Sequence, residues 1–144
     1  MSEPRAILIV DDDADFRQAV AHLFESCGHR VWMAENGRQG FDVAKTVRPD
    51  LILLDIMMTE RTEGFFTLSR IRSDPTLRDT PVIVVSSLYA DHPEFRVSPE
   101  AGWLPADLFL AKPVDPARLV EESARLMTAR VSSAGQAAVG SRGR

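Results

Sequence analysis

The chain is poor in cysteine, and its single thiol, Cys27, excludes an internal disulfide and any zinc site built on cysteines. Long apolar runs are missing, since no stretch approaches the roughly 18 residues that a membrane-spanning helix needs. The opening Met1-Ser2-Glu3-Pro4-Arg5 has none of the apolar core of a secretory signal. An excess of positive charge is missing too. With 17 basic residues against 21 acidic, the net charge of −4 argues against a phosphate-backbone partner. These absences point to a cytoplasmic setting, with no membrane or nucleic acid as partner. The rest is ordinary for a folded domain: 144 residues, 44% hydrophobic and 26% charged, enough for one core without staples or metals.

Residues 131–144 read VSSAGQAAVGSRGR, rich in glycine and serine, with no acid and no periodicity. That composition predicts a folded domain over 1–130 and a disordered tail over 131–144. Before the tail, five short apolar runs begin at Ala6, Arg30, Leu51, Pro81 and Leu108. Most are continuously apolar, as strands covered on both faces of a parallel sheet should be. Helical patterns separate them. Phe16, Ala19, Val20, Leu23, Phe24 and Cys27 mark one apolar face, which Gly28 ends. Asn36 can cap a second helix with Gly40, Phe41, Ala44 and Val47 inward, and Pro49 follows its end. Phe65, Leu68 and Ile71 mark a third, closed by Ser73-Asp74-Pro75. Asp115-Pro116 opens the last, with Leu119, Val120, Ser123, Leu126 and Met127 inward. Strand and helix in alternation predict an open α/β sheet with helices on both faces.

Ligands of such sheets bind beyond the carboxyl ends of the strands. Strand one ends in Asp11-Asp12-Asp13, strand three in Asp55, strand four in Ser86-Ser87 and strand five in Lys112-Pro113. A single acid there would be an ordinary helix cap. Several carboxylates converging on one edge repel one another and raise their own pKa values. A cation relieves this, and magnesium suits a site of one or two carboxylates and phosphate oxygens. Lys112 adds a point charge, Ser86 a hydroxyl, and aspartate is a known phosphoryl acceptor.

ILIVDDDADFR, PDLILLDIMM, PVIVVSS and FLAKPVD together resemble, in order and spacing, the signature segments of the response regulator receiver domain of the CheY-like superfamily. The resemblance spans about residues 5–130. It implies a flavodoxin-like doubly wound five-stranded parallel sheet, strand order 2-1-3-4-5, in a stand-alone receiver. It implies a phosphoacceptor module of a two-component system. Asp55 would take a phosphoryl group from a sensor histidine kinase or histidine phosphotransfer protein. Asp11, Asp12, Asp55 and the Met57 backbone carbonyl would hold Mg2+, with Asp12 the more direct ligand of the acidic pair. Lys112 would pair with the acceptor and then the phosphate, with Pro113 cis-linked. Ser86 and Phe109 would be the switch pair, altering the face of strands four and five and their following helices. An as yet unnamed downstream protein would read that face, with the receiver a monomer or a phosphorylation-dependent dimer and no DNA-binding domain. Such a module is not an enzyme beyond its own phosphoryl transfer and dephosphorylation. An aspartate-nucleophile phosphatase and a phosphate-independent pseudo-receiver are the alternatives.

Several places depart from the family pattern. Thr59 stands where proline is usual, the loop before Gly64 is one residue longer, and Ser87 replaces the usual alanine. Residues 88–107 hold Pro93, Pro99 and Pro105, which disfavour a regular fourth helix throughout. Trp103 in that segment reads as a core plug or a partner anchor. His22, His29 and His92 read as surface or cap residues, Cys27 as inert packing, and Arg61, Arg70 and Arg72 as charge balance. Position 57 often carries a polar side chain that helps a water attack the acyl phosphate, and Met57 has none. Met57→Asn is therefore expected to hasten loss of the phosphoryl group. The check is decay of the purified phosphoprotein by intact mass; equal decay in both proteins defeats the idea.

Overall fold

Strands of aliphatic residues alternate with amphipathic helices, because each apolar run needs cover on both faces. The computed structural model describes residues 4–56, 63–87 and 106–140. Within them the order is β1 (Ala6–Val10), α1 (Ala14–Ser26), β2 (Arg30–Ala34), α2 (Gly37–Val47) and β3 (Leu51–Leu54). There follow α3 (Glu63–Ser73), β4 (Val82–Ser86), β5 (Leu108–Ala111) and α4 (Pro116–Gly140). The five strands are parallel and stand in the order β2-β1-β3-β4-β5, the expected flavodoxin-like doubly wound arrangement. Met57, Thr59, Arg61, His92, the three prolines of the 88–107 segment and Trp103 lie outside the described residues. No helix among the described residues is long and apolar enough to cross a membrane.

Side chains alternate between the two sheet faces, and each parity has its own core. Leu8, Val10, Ile52, Leu54, Val82 and Val84 pack with Ala44 of α2 and with Leu68 and Ile71 of α3. Ile7, Ile9, Leu51, Leu53, Ile83 and Val85 pack with Val20 and Phe24 of α1 and with Leu119 and Met127 of α4. Burying one such side chain stabilises the fold by about 1.5–3 kcal/mol, so the two layers supply the main driving force.

The expected caps of α2 and α4 form, and α1 has one that the sequence reading did not single out. Asp13 caps α1, its carboxylate accepting from the Asp15 and Phe16 N–H groups. Asn36 caps α2 by accepting from Gln39 N–H, and Asp115 accepts from Arg118 N–H at the start of α4. Gly28, at φ +91, takes the left-handed turn that ends α1.

Three expectations are corrected. Cys27 is exposed rather than packed inward. It is the C-cap of α1, where the backbone leaves the helical path, so helical spacing no longer aims it at the sheet. The inner face of α1 is Val20, Ala21 and Phe24. α4 runs on to Gly140, into the segment expected to be a disordered tail. Lengthening an existing helix needs no new nucleus, and Ala134, Ala137 and Ala138 favour it. Arg72 does more than balance charge. Its guanidinium donates to the Arg78 and Thr80 carbonyls and pairs with Asp107 at 2.8 Å. Asp107 also accepts from Val82 N–H, so this cluster ties the end of α3 to the starts of β4 and β5.

Gly40 lets α2 lie close on β1: a Cβ there would fall 2.7 Å from Val10 Cγ2, on a stiff and buried side chain. Gly40→Ala is expected to destabilise the fold by about 1–3 kcal/mol through overpacking, checked by urea unfolding. An unchanged midpoint would show that α2 shifts freely.

Candidate functional site

Strand register decides which side chains meet at the carboxyl edge of the sheet. Val10 on β1 lies opposite Leu54 on β3, so the next residues, Asp11 and Asp55, emerge side by side. The Asp55 N–H donates to the Val10 carbonyl at 3.0 Å and continues that register past the strands. Asp11 N–H donates to the Ala34 carbonyl, which pins the acidic loop to β2 as well. Both carboxylates are almost fully buried, at 1% and 4% exposure, while Asp12 is exposed.

Carboxylate oxygens of Asp11, Asp12 and Asp55 lie within 4.8 Å of one another. Unit charges about 4–5 Å apart repel by roughly 3–4 kcal/mol at an effective dielectric near 20, more than an ordinary hydrogen bond returns. Lys112 offsets part of this. Its Nζ donates to Asp11 Oδ2 at 2.8 Å and to Asp55 Oδ2 at 3.3 Å. Burial raises the Asp11 pKa above the usual carboxylate range, and the Asp55 charge adds to that; bonds from Lys112 and from the Asp13 N–H oppose it. Burial alone would lower the Lys112 pKa, but its bond to Asp11 and the two acidic charges outweigh this and hold it high. The Lys112 ammonium pairs with Asp11 and Asp55, two of the three carboxylates. The donor set is all oxygen, which fits a hard divalent cation such as Mg2+ rather than a thiolate-seeking metal.

Other residues frame the cluster. Ser86 ends β4 and is fully buried, and its carbonyl accepts from Lys112 N–H at 2.9 Å. The Lys112–Pro113 peptide is cis. Phe109 on β5 pairs with Val84 on β4. It packs against the core that Val84 shares with α2 and α3. Ser86 stands two places beyond Val84, so its hydroxyl and the Phe109 ring share one sheet face. Met57 lies outside the described residues.

The structure thus brings together Asp11, Asp12, Asp55 and Lys112, sets Ser86 on the strand between β3 and β5, and places Phe109 beside that strand. Four contributors were not read from the sequence. Asp13 caps α1, and Arg17 donates to the Asp11 carbonyl at 2.7 Å. Phe16, read as core, lies under the Lys112 ammonium at 4.2 Å. Gly64 lets α3 approach the end of β3: a Cβ there would run into the Ile56 backbone and come within 2.6 Å of the Asp55 carbonyl oxygen. Of these, only Asp13 carried a usable signal, an acid just before a helical pattern.

Known proteins match this arrangement. The family model for the response regulator receiver domain matches residues 7–124. The chain is 30% identical over 118 residues to the polar-differentiation response regulator DivK of Brucella anthropi, covering 82% of this chain and 92% of that protein. It is 34% identical to the phosphate regulon transcriptional regulatory protein PhoB of Pseudomonas aeruginosa, covering 81% of this chain but only 48% of that longer protein. Among solved structures, the chemotaxis response regulator CheY4 of Vibrio cholerae superimposes with a TM-score of 0.72 at 27% identity. That match covers 86% of this chain and 99% of CheY4. The chain belongs to the response regulator receiver domain family, the phosphoacceptor signalling modules of two-component systems.

Proposed function

We propose that Asp55 is the phosphoacceptor, that Mg2+ is held by Asp11, Asp12 and Asp55, and that Lys112 and Ser86 take up the transferred group. The observation that carries this reading is the convergence of three carboxylates within 4.8 Å around one ammonium at the sheet edge. The phosphoryl donor is a phosphohistidine of a sensor histidine kinase or of a histidine phosphotransfer protein. Its N–P bond breaks as an O–P bond forms at Asp55, and the electron pair stays on the imidazole, which takes a proton. Bound Mg2+ supplies electrostatic stabilisation of the charge on the transferring oxygens. Asp11 holds the Asp13 N–H and Lys112, and the exposed Asp12 is the more direct ligand beside Asp55. The Met57 carbonyl completes the expected ligand set. Lys112 then moves from carboxylate to phosphoryl oxygen over a short path, being 3.3 Å from Asp55 already.

The output follows from charge. A new dianion beside Ser86 draws its hydroxyl inward, and Phe109, on the same sheet face, follows into the space released. The face of β4, β5 and the segments after them changes, and a downstream protein reads the difference as a population shift. Loss of the phosphoryl group is the module's own slow hydrolysis. We place the receiver unit in residues 1–130, with a monomer or phosphorylation-dependent dimer in the cytoplasm. The phosphatase alternative puts the nucleophile after β1, whereas Lys112 here bridges the β1 and β3 acids as an acceptor site requires. The pseudo-receiver alternative leaves that bridge without a purpose.

Incubation with acetyl phosphate and Mg2+ is expected to add one phosphoryl group by intact mass, and none to Asp55→Ala or when Mg2+ is chelated. Equal addition to Asp55→Ala would sink the assignment. Asp13→Ala separates cap from ligand: it is expected to lower stability by about 1 kcal/mol. Phosphorylation and its Mg2+ dependence should stay as in the wild type, and a weakened Mg2+ dependence would make Asp13 a ligand.

A further inference from the structure

Two carboxylates are not the only groups that hold Lys112. Its Nζ stands 4.2 Å from the centroid of the Phe16 ring, within range of an ammonium–aromatic attraction. We infer that Phe16 is a positioning residue for phosphoryl transfer, its ring face seating the Lys112 ammonium beside the acceptor; the inference rests on Asp55 being that acceptor.

The seat is built rather than incidental. Phe16 lies in the first turn of α1, and its N–H donates to the capping Asp13 carboxylate at 3.2 Å. The same loop that carries the acids therefore fixes the root of the ring. The half-buried ring lines an apolar groove of about 660 Å³ with Ala19, Leu23, Pro113 and Val114, between α1 and the turn after β5. Phe16 also packs against the core that β1 and β3 share with α1, which restricts where the ring can go, and Lys112 lines the same groove.

A neutral seat has a specific use here. Asp11 and Asp55 hold the ammonium by charge, and both holds change during the reaction. A dication among the acids repels the ammonium. Phosphorylation converts the Asp55 carboxylate into an acyl phosphate. The attraction of an aromatic face depends on neither event. Lysine has a long flexible stem, so losing its carboxylate partners would free it to leave the pocket. The ring keeps Nζ within reach while charge is exchanged around it. Leucine or methionine would fill the space without offering that face.

The test uses the full chain with Phe16→Leu, Phe16→Met and Phe16→Tyr. The chain has two lysines, Lys45 and Lys112, so carbon-13 lysine labelling resolves both by NMR, and Lys45 serves as the internal reference. In the metal-free wild type and in Phe16→Tyr, the Lys112 ε-methylene protons are expected to be shifted upfield by the ring. In the Leu and Met variants that shift is lost while Lys45 stays put. Phosphorylation by acetyl phosphate at saturating Mg2+ is expected to slow by about three- to tenfold in Leu and Met, and to stay near wild type in Tyr. Mg2+ affinity by calorimetry and the thermal midpoint check that the acids and the fold are intact, and Met stands in should Leu fail to fold. Wild-type rates in both apolar variants, a Tyr variant as slow as Leu, or an unmoved Lys112 shift would each overturn the inference. A wild type that takes up no phosphoryl group would instead overturn the Asp55 reading, and this inference with it.

Discussion

Negative charge held out of water at one edge of a sheet is the constraint on which the rest of the structure depends. Asp11 and Asp55 are nearly inaccessible, and a single lysine pairs with both. Such a cluster exists only where strong packing elsewhere outweighs the repulsion. That packing comes from the β1–β3 pair at the middle of the sheet, with fully buried aliphatic residues on both faces. The parallel arrangement also does the aiming. Adjacent strands running the same way release their last residues on the same side, so Asp11 and Asp55 cannot avoid one another. β5 lies one strand further out, beyond β4. A cation from β5 must therefore cross the end of β4 to reach the acids. Lysine is long enough to do so, and Ser86 at that end is small enough to be crossed.

Precision is added by groups whose role is close approach rather than chemistry. Gly40 lets α2 press on Val10, the residue before Asp11. Gly64 lets α3 press on the backbone of Asp55 and Ile56. Both glycines are set against the two acid-bearing strands at their carboxyl ends. At the other end of the sheet, Asp50 accepts from Ala6 N–H, and His29 Nδ1 accepts from Arg5 N–H. Burial first and the Arg5 charge second lower the His29 pKa, which keeps the imidazole an acceptor at neutral pH. The strands are thus clamped at both ends, and the acids project from a rigid base.

Much of this was legible because strand ends are easy to see. Aliphatic runs of four or five residues stop abruptly at Asp11, Asp55, Ser86 and Lys112, and a parallel sheet leaves those stops one place to meet. Helix starts were legible where an Asn or Asp precedes the pattern, as at Asn36 and Asp115. Other contacts depend on angles around a helix that spacing alone does not resolve. Phe16 has the periodicity of a core residue and packs against the core, yet its ring also faces Lys112, remote in sequence. Cys27 fits the same period but falls where the helix has already ended. Arg72 reads as surface charge until the chain brings two carbonyls and Asp107 around it. In each case the deciding partner is far along the chain or outside the helix, and no local pattern encodes it.

The placement of Ser86 and Phe109 bears on how a charge at the edge becomes a shape on the surface. Residues at the carboxyl edge can sense the acceptor, and residues deeper in the sheet cannot. On the proposed reading Ser86 is such a sensor, and what it moves must share its face of the sheet. Alternation along β4 puts Ser86 on the side of Val82 and Val84, and the β4–β5 register puts Phe109 beside Val84. A ring on the opposite face would be separated from the hydroxyl by the sheet itself. Leu108 and Leu110 are on that opposite face, packed toward α1 and α4, and so are poorly placed to respond. β5 is an edge strand, and Phe109 is only partly buried, so its ring can shift without opening the core. The same displacement at a fully buried position such as Val84 would leave a cavity, with the several-kcal/mol cost typical of large-to-small changes in a core. On the proposed reading, a switch residue in this fold therefore belongs on β5, at the parity of Phe109.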